Sequence, residues 1–305
     1  MSTAKDDAAA PAVPPTVPPA QPAELDQGPA RSEPAAAVPV VQFVHVTKTF
    51  GSGRSAFTAI EDVHFAIPDH PERGEFVCIL GPSGSGKSTV IRLIAGLAPH
   101  FPHTSGQVLV DGKPVGGPGA DRGMVFQDYT SFDNRTVVDN VAFGLECRGV
   151  GKAERTDRAL HWIAKVGLSI KTDAHKYPHQ LSGGMRQRVA IARTLILEPR
   201  VILMDEPFGA LDPPTRTRMQ DNLVELWREH SPTVFFITHS VEEAVFLGDH
   251  VLVFSSSPGT VLREFQLPHA DRPALEAQRD PKFQSTVWEI RDIIEKLQSS
   301  SRAGD

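Results

Sequence analysis

The chain has 305 residues, 40% of them hydrophobic, and a formal net charge of −6 at pH 7, enough to bury a full core in one large or two ordinary domains. The acidic balance is a poor footprint for binding nucleic acid, and no run approaches the roughly 20 apolar residues that span a bilayer, so neither a nucleic-acid partner nor a membrane span is expected. The two cysteines, Cys78 and Cys147, stand far apart without CxxC spacing, which excludes a thiolate metal site and leaves both as expected core residues in a reduced compartment.

Residues 1–40 are rich in proline and alanine. They lack the basic and apolar regions of a signal peptide, and their prolines fix φ and remove donors while little apolar area is on offer. A disordered tail, partly polyproline II, is expected, with order beginning near Val41. From there β-rich runs alternate with helical ones. "VQFVHVTKTF", "FVCIL", "GQVLVDG", "GMVFQ", "RVILMDEP" and "TVFFITH" read as strands, and the segments after "GKST", "LSGG" and "FGALD" read as helices, a pattern that predicts an α/β domain on a largely parallel sheet.

Directly after "FVCIL" comes "GPSGSGKST": Gly81, Pro82, Ser83, Gly84, Ser85, Gly86, Lys87, Ser88 and Thr89. Strand, glycine spacing and following helix together make a phosphate-binding loop, in which backbone N–H groups converge on phosphate oxygens. Lys87 is placed to reach the β- and γ-phosphates and Ser88 to offer a hydroxyl to Mg²⁺, so a nucleoside triphosphate is the expected ligand. Next door, "APHFPHTSG" contains His100 and His103; with no third ligand nearby they read as a solvated loop extension rather than a metal pair. Gln127 closes "GMVFQ", where its amide can reach a metal or an attacking water.

A mostly helical stretch, about 137–198, interrupts the alternation and reads as an inserted helical subdomain. Inside it lies "LSGGMRQR". Val189, Ile191, Ala192, Leu195 and Ile196 recur at the spacing of a buried helix face, so the glycines sit at a helix start, where each costs about 1 kcal/mol relative to alanine. Ser182, Gly183 and Gly184 look built to meet phosphate with exposed backbone, from the side opposite the first loop. The insertion makes it unfavourable for one molecule to fold this segment over its own loop; a second copy placed head to tail could supply it.

"VILMDEP" reads as a buried strand with Asp205 at its end, a ligand for Mg²⁺, and Glu206 beyond it, a carboxylate able to take a proton from water attacking the γ-phosphate. Asp212, in "GALD", lies where a turn could carry a signal sideways. His239 closes "TVFFITH", where it can contact the γ-phosphate and steady Glu206. Together these positions imply triphosphate hydrolysis.

Residues 41–254 resemble the ATP-binding-cassette ATPases, with Walker A, Q-loop, signature, Walker B, D-loop and switch histidine in order. The resemblance implies a cassette with an antiparallel β subdomain and the helical subdomain added to the parallel core, ATP and Mg²⁺ as ligands, and a signature segment that closes over nucleotide held by a second copy. It also implies that Phe50 stacks on adenine, where the family more often has tyrosine. It further implies the separate ATPase subunit of an importer, peripheral at the cytoplasmic face, partnered by a membrane permease and indirectly by an extracytoplasmic solute-binding protein. "SSSPGTVLREFQLPHADRP" and "FQSTVWEIRDIIEKLQ" are similar to the nitrate/sulfonate/taurine branch, which ends in a short helix; an ATP-binding domain over 41–270 and a helical extension over 271–305 follow. Asp133, Asn134 and Arg135 depart from the branch's more apolar loop and are expected to alter the permease contact. Two other classes stay open at this point. A non-transport cassette ATPase would be expected to show a coiled-coil insertion or tandem cassettes, and a regulatory module would be expected to lack Glu206 or His239.

Overall fold

The computed structural model describes residues 38–70, 73–127, 131–209, 211–268 and 273–302. Of the expected tail, residues 1–37 lie outside the described residues. Two sheets organise the rest. The first is antiparallel, in the order β2-β1-β4-β5, from β1 (Val41–Phe50), β2 (Phe57–Ile67), β4 (Ser105–Val110) and β5 (Lys113–Pro114). The second has the order β10-β9-β3-β8-β7-β6, from β3 (Phe76–Leu80), β6 (Arg122–Val125), β7 (Val201–Asp205), β8 (Thr233–Ile237), β9 (His250–Phe254) and β10 (Val261–Gln266). Its neighbours pair in parallel except β10, which runs antiparallel to β9.

Strands β3, β7, β8 and β9 are buried at every residue, as a parallel sheet covered on both faces requires. Their side chains alternate between two cores. Cys78, Met204, Phe236 and Val253 join the core that includes the helices α2 (Val137–Cys147), α3 (Lys152–Lys165), α4 (Gly183–Leu195), α5 (Pro213–His230) and α6 (Val241–Leu247). Ile79, Leu203, Phe235 and Leu252 join the core shared by α1 (Lys87–Ala95) and the antiparallel sheet. The period of two along each strand thus places a helical layer on one side and α1 with the antiparallel sheet on the other.

The stretch 137–198 folds as α2, α3, a 3-10 turn and α4, as its helical pattern indicated. α7 (Ala274–Ala277) and α8 (Pro281–Arg302) follow the sheet; α8, at 22 residues, is longer than the short terminal helix expected, and it sinks Val287 and Ile290 into the core. Four strands escaped the sequence reading, one of them the two-residue β5. The register of β2 is broken by bulges against β1, which blurs its alternation. Only Gly248 and Asp249 separate α6 from β9, and so short an apolar run does not announce a change from helix to strand. β10 is an edge strand, mostly exposed. The expectation of two core cysteines holds for Cys78 but not for Cys147, which is exposed at the end of α2. Among the described residues no helix is long and apolar enough to cross a membrane.

The antiparallel sheet and the parallel one meet at the phosphate-binding loop through close backbone contacts. Gly259, between β9 and β10, donates its N–H to the Ala59 carbonyl at 3.0 Å and accepts from the Glu61 N–H at 2.9 Å. A Cβ on Gly259 would lie 1.9 Å from the Ser85 carbonyl oxygen, so only glycine lets these three segments approach. Gly86, at φ +80°, begins α1 under the same constraint, a Cβ there lying 2.3 Å from Ile60 Cγ2.

Gly259→Ala is therefore expected to force the loop and β2 apart. Overpacking of this kind costs about 1–3 kcal/mol, which in a domain of this size lowers the melting temperature by roughly 3–10 °C. Thermal unfolding followed by circular dichroism measures it, and an unchanged melting temperature would contradict the close three-way contact.

Candidate functional site

The carboxyl ends of β3, β6, β7 and β8 finish side by side, and the residues singled out in the sequence follow those ends. Pairing fixes their relative positions, with Val125 opposite Met204, Asp205 opposite Ile237 and Ile79 opposite Ile237. There a groove of about 400 Å³ is lined by Phe50, Phe57, Ala59, Ser83 through Thr89, His100, Glu206 and His239.

At its floor Lys87 is only 5% exposed. Its Nζ donates to the carbonyl oxygens of Gly81 at 3.0 Å and Pro82 at 2.7 Å, and to Ser85 Oγ at 3.3 Å. Burial holds its pKa below the ordinary lysine value, with Glu206 and Asp205 pulling weakly the other way. Among the described residues no carboxylate lies within ion-pair distance of it. A desolvated cation held only by neutral oxygens is suited to receive an anion, and the start of α1 adds backbone N–H groups and the positive end of a helix dipole.

The Ser88 hydroxyl donates to Asp205 Oδ1 at 2.9 Å, and Arg92 approaches Asp205 Oδ2 at 3.4 Å. Asp205 is 1% exposed, and that burial raises its carboxyl pKa against the opposing pull of Ser88 and Arg92. Glu206, one residue on, adopts φ +48°, a left-handed conformation that costs a non-glycine residue about 1–3 kcal/mol. Its N–H donates to the Ile237 carbonyl at 3.2 Å and its own carbonyl accepts from the Gly209 N–H at 3.2 Å. The carboxylate is bracketed: His239 Nε2 lies 2.5 Å from Oε1, and the Gln127 amide donates to Oε2 at 3.3 Å. A carboxylate fixed from two sides at the mouth of a phosphate groove is arranged to accept a proton from a bound water.

Ser182, Gly183, Gly184 and Asp212 do not line this groove. Exposed Ser182 caps α4, its Oγ accepting from the Met185 N–H at 3.3 Å, and Asp212 caps α5, its Oδ2 accepting from the Thr215 N–H at 3.2 Å; such caps are worth about 1 kcal/mol. A Cβ on Gly184 would sit 3.1 Å from Leu211 Cδ2, whereas one on Gly183 would meet nothing within 4 Å. The packing of this chain therefore gives no reason for glycine at position 183.

Several groove residues escaped the sequence reading. Phe57 stands opposite Phe50 across the β1–β2 pair, a pairing hidden by the unread β2. Arg92 is one more polar residue on an apolar helix until the fold brings it to Asp205. His100 was expected in a solvated loop; instead it is half-buried, with its ring edge-on to Phe50 at 5.2 Å.

Residues 61–209 match the family model described as ABC transporter. The chain is 45% identical over 260 residues to the nitrate import ATP-binding protein of Synechocystis sp., covering 83% of this chain and 94% of that one. It is 48% identical over 241 residues to the taurine import ATP-binding protein of Rhizobium johnstonii, covering 77% and 88% respectively. A solved dimeric ATP-binding cassette in a post-hydrolysis state, bound to ADP and phosphate, superposes with a TM-score of 0.64 at 34% identity, covering 75% of this chain and 99% of that one.

Lys87→Ala isolates the role of the desolvated cation. Because Lys87 lacks a counter-charge, its loss is expected to lower the melting temperature of the nucleotide-free protein by no more than about 2 °C, while the stabilisation that ATP gives the wild type disappears. A variant that still gains the full thermal shift with ATP would contradict this reading.

Proposed function

The chain belongs to the ABC transporter family of ATP-binding proteins, and we propose that it is the ATP-hydrolysing subunit of a solute importer of the nitrate, sulfonate and taurine type. The observation that carries this reading is Glu206 held between Gln127 and His239 at the mouth of the phosphate groove. In the proposed reaction Glu206 takes the proton from the water that attacks the γ-phosphate. His239 fixes the orientation of that carboxylate and faces the same phosphate, and Gln127 keeps the water side of the site ordered. Lys87 and the N–H groups of residues 83–89 hold the β- and γ-phosphates. Phe50 stacks on the base.

Ser88 and Asp205, hard oxygen donors 2.9 Å apart, fit Mg²⁺, and Gln127 would add its amide oxygen. When bound there, Mg²⁺ supplies positive charge against the β- and γ-phosphate oxygens.

Glycine 183, unexplained within one chain, has a reason if a second copy lies head to tail. Ser182, Gly183 and Gly184 of one copy then face the nucleotide of the other with bare backbone, and Asp212, capping a helix beside Leu211, lies next to the shared boundary. Dimeric cassettes among the structural relatives support this arrangement. The dimer would rest on a membrane permease at the cytoplasmic face, and an extracytoplasmic binding protein would deliver the solute. Residues 41–270 would form the ATP-binding domain, with the helical subdomain over 137–198, and 271–305 its extension. Asp133, Asn134 and Arg135 would alter the permease contact; their loop is held by Asn140, which donates to the carbonyls of Phe132, Arg135 and Thr136 at 3.0–3.1 Å, and by Glu146, which accepts from the Arg135 guanidinium at 3.0 and 3.3 Å.

Glu206→Gln keeps size and shape but removes the proton acceptor. Steady-state phosphate release is expected to fall by about 10²- to 10⁴-fold while ATP still binds, and gel filtration with ATP should then reveal an accumulated dimer. Retention of more than about half of the wild-type rate would reject Glu206 as the base.

A further inference from the structure

We propose that His100 is a positioning residue that holds the Phe50 ring ready for the nucleotide base, through a loop that braces the end of β1. The inference rests on the reading of the groove as a nucleotide site with the base on Phe50. Phe50 is the last residue of β1, where a strand end would ordinarily leave an aromatic ring loosely held. Here the loop before β4 is stitched to that end. The Thr104 N–H donates to the Thr47 carbonyl at 2.8 Å, and Thr104 Oγ1 accepts from the Thr49 N–H at 2.9 Å. Lys48, buried, donates from Nζ to the Pro102 carbonyl at 2.7 Å while its ammonium lies 4.9 Å over the Phe50 ring. That cation covers one face of the ring and leaves the other for a base. His100, from the same loop, completes the brace with its ring perpendicular to Phe50, at 5.2 Å and 81°, a favoured edge-to-face arrangement.

The orientation of His100 is itself fixed. Arg92 Nη1 stands 3.5 Å from His100 Nε2, its guanidinium facing that ring nitrogen. Burial, then the charges of Arg92 and Lys48, lower the pKa of the ring. Arg92 in turn is anchored on Asp205 at 3.4 Å. A continuous line of contacts, Asp205 to Arg92 to His100 to Phe50, therefore ties the phosphate end of the groove to its base end.

Isothermal titration of the full-length chain with ATP and with inorganic tripolyphosphate, each with magnesium, tests the proposal, because tripolyphosphate carries no base. His100→Ala is expected to weaken ATP by about 3- to 10-fold and to leave tripolyphosphate within about twofold. In a Phe50→Ala background the same change should cost less than about twofold, since His100 acts through that ring. His100→Phe should restore most of the ATP affinity by keeping an aromatic edge, and His100→Gln, which keeps an acceptor for Arg92 without a ring, should not. That pair decides the matter should His100→Ala fold poorly. An equal loss for ATP and tripolyphosphate, an equal cost in both backgrounds, or rescue by glutamine alone overturns the role of His100. Unchanged ATP affinity in Phe50→Ala overturns instead the reading of Phe50 as the base platform, and the proposal with it.

Discussion

A parallel sheet buried on both faces leaves only the ends of its strands for chemistry, and the site depends on four strands that finish together. β3 runs into the phosphate-binding loop, β7 into Asp205 and Glu206, β8 toward His239 and β6 toward Gln127. Register sets the distances between these groups. A slip of one residue in β7 would exchange Met204 and Leu203 between the two cores and carry Asp205 away from Ser88, so core packing and catalytic geometry are the same constraint. The helices contribute mainly by covering the sheet and by presenting their amino ends.

The site keeps features that a fold selected for stability alone would avoid. Lys87 is desolvated among carbonyl oxygens, Asp205 is buried with a raised pKa, and Glu206 holds a left-handed backbone. Each is held by neighbours that over-determine it, and in the proposed function each would become favourable once a polyanion and a divalent cation bring the missing charges. The lone glycine 183 belongs with them. It is unfavourable in a helix and unneeded by its own chain, and under the proposed head-to-tail dimer it would gain a reason when a second molecule approaches.

Much of this was legible in the sequence because phosphate chemistry constrains residue type and spacing within a short segment. "GPSGSGKST" and "VILMDEP" each announce a strand, its end and a ligand without reference to distant residues. The strands β2, β5, β9 and β10 were not legible, since bulges, brevity and edge exposure erased their periodicity. Phe57, Arg92 and His100 were hidden for a different reason. Each acquires its role only from a partner far away in sequence: Phe57 from register, Arg92 from Asp205 and His100 from Phe50. Cys147, expected in the core because it lacks CxxC spacing, is instead exposed at the end of α2.

The central claim is that one molecule holds half of each hydrolytic site. Ser83, in the phosphate loop, and Ser182, at the start of α4, are both exposed, and Cys78 is buried, so only Cys147 needs replacement, by serine, to clear the surface of reactive thiols. One copy carrying Ser83→Cys is mixed with a second carrying Ser182→Cys, both in a Glu206→Gln background, and treated with a short bifunctional thiol reagent. Because each copy holds a single engineered thiol, a product joining positions 83 and 182 can only be intermolecular. The account expects that product, identified by mass spectrometry, to form with ATP and magnesium and not with ADP. Its absence with ATP, when both copies bind nucleotide and both thiols are labelled by the reagent, would contradict the head-to-tail composite site.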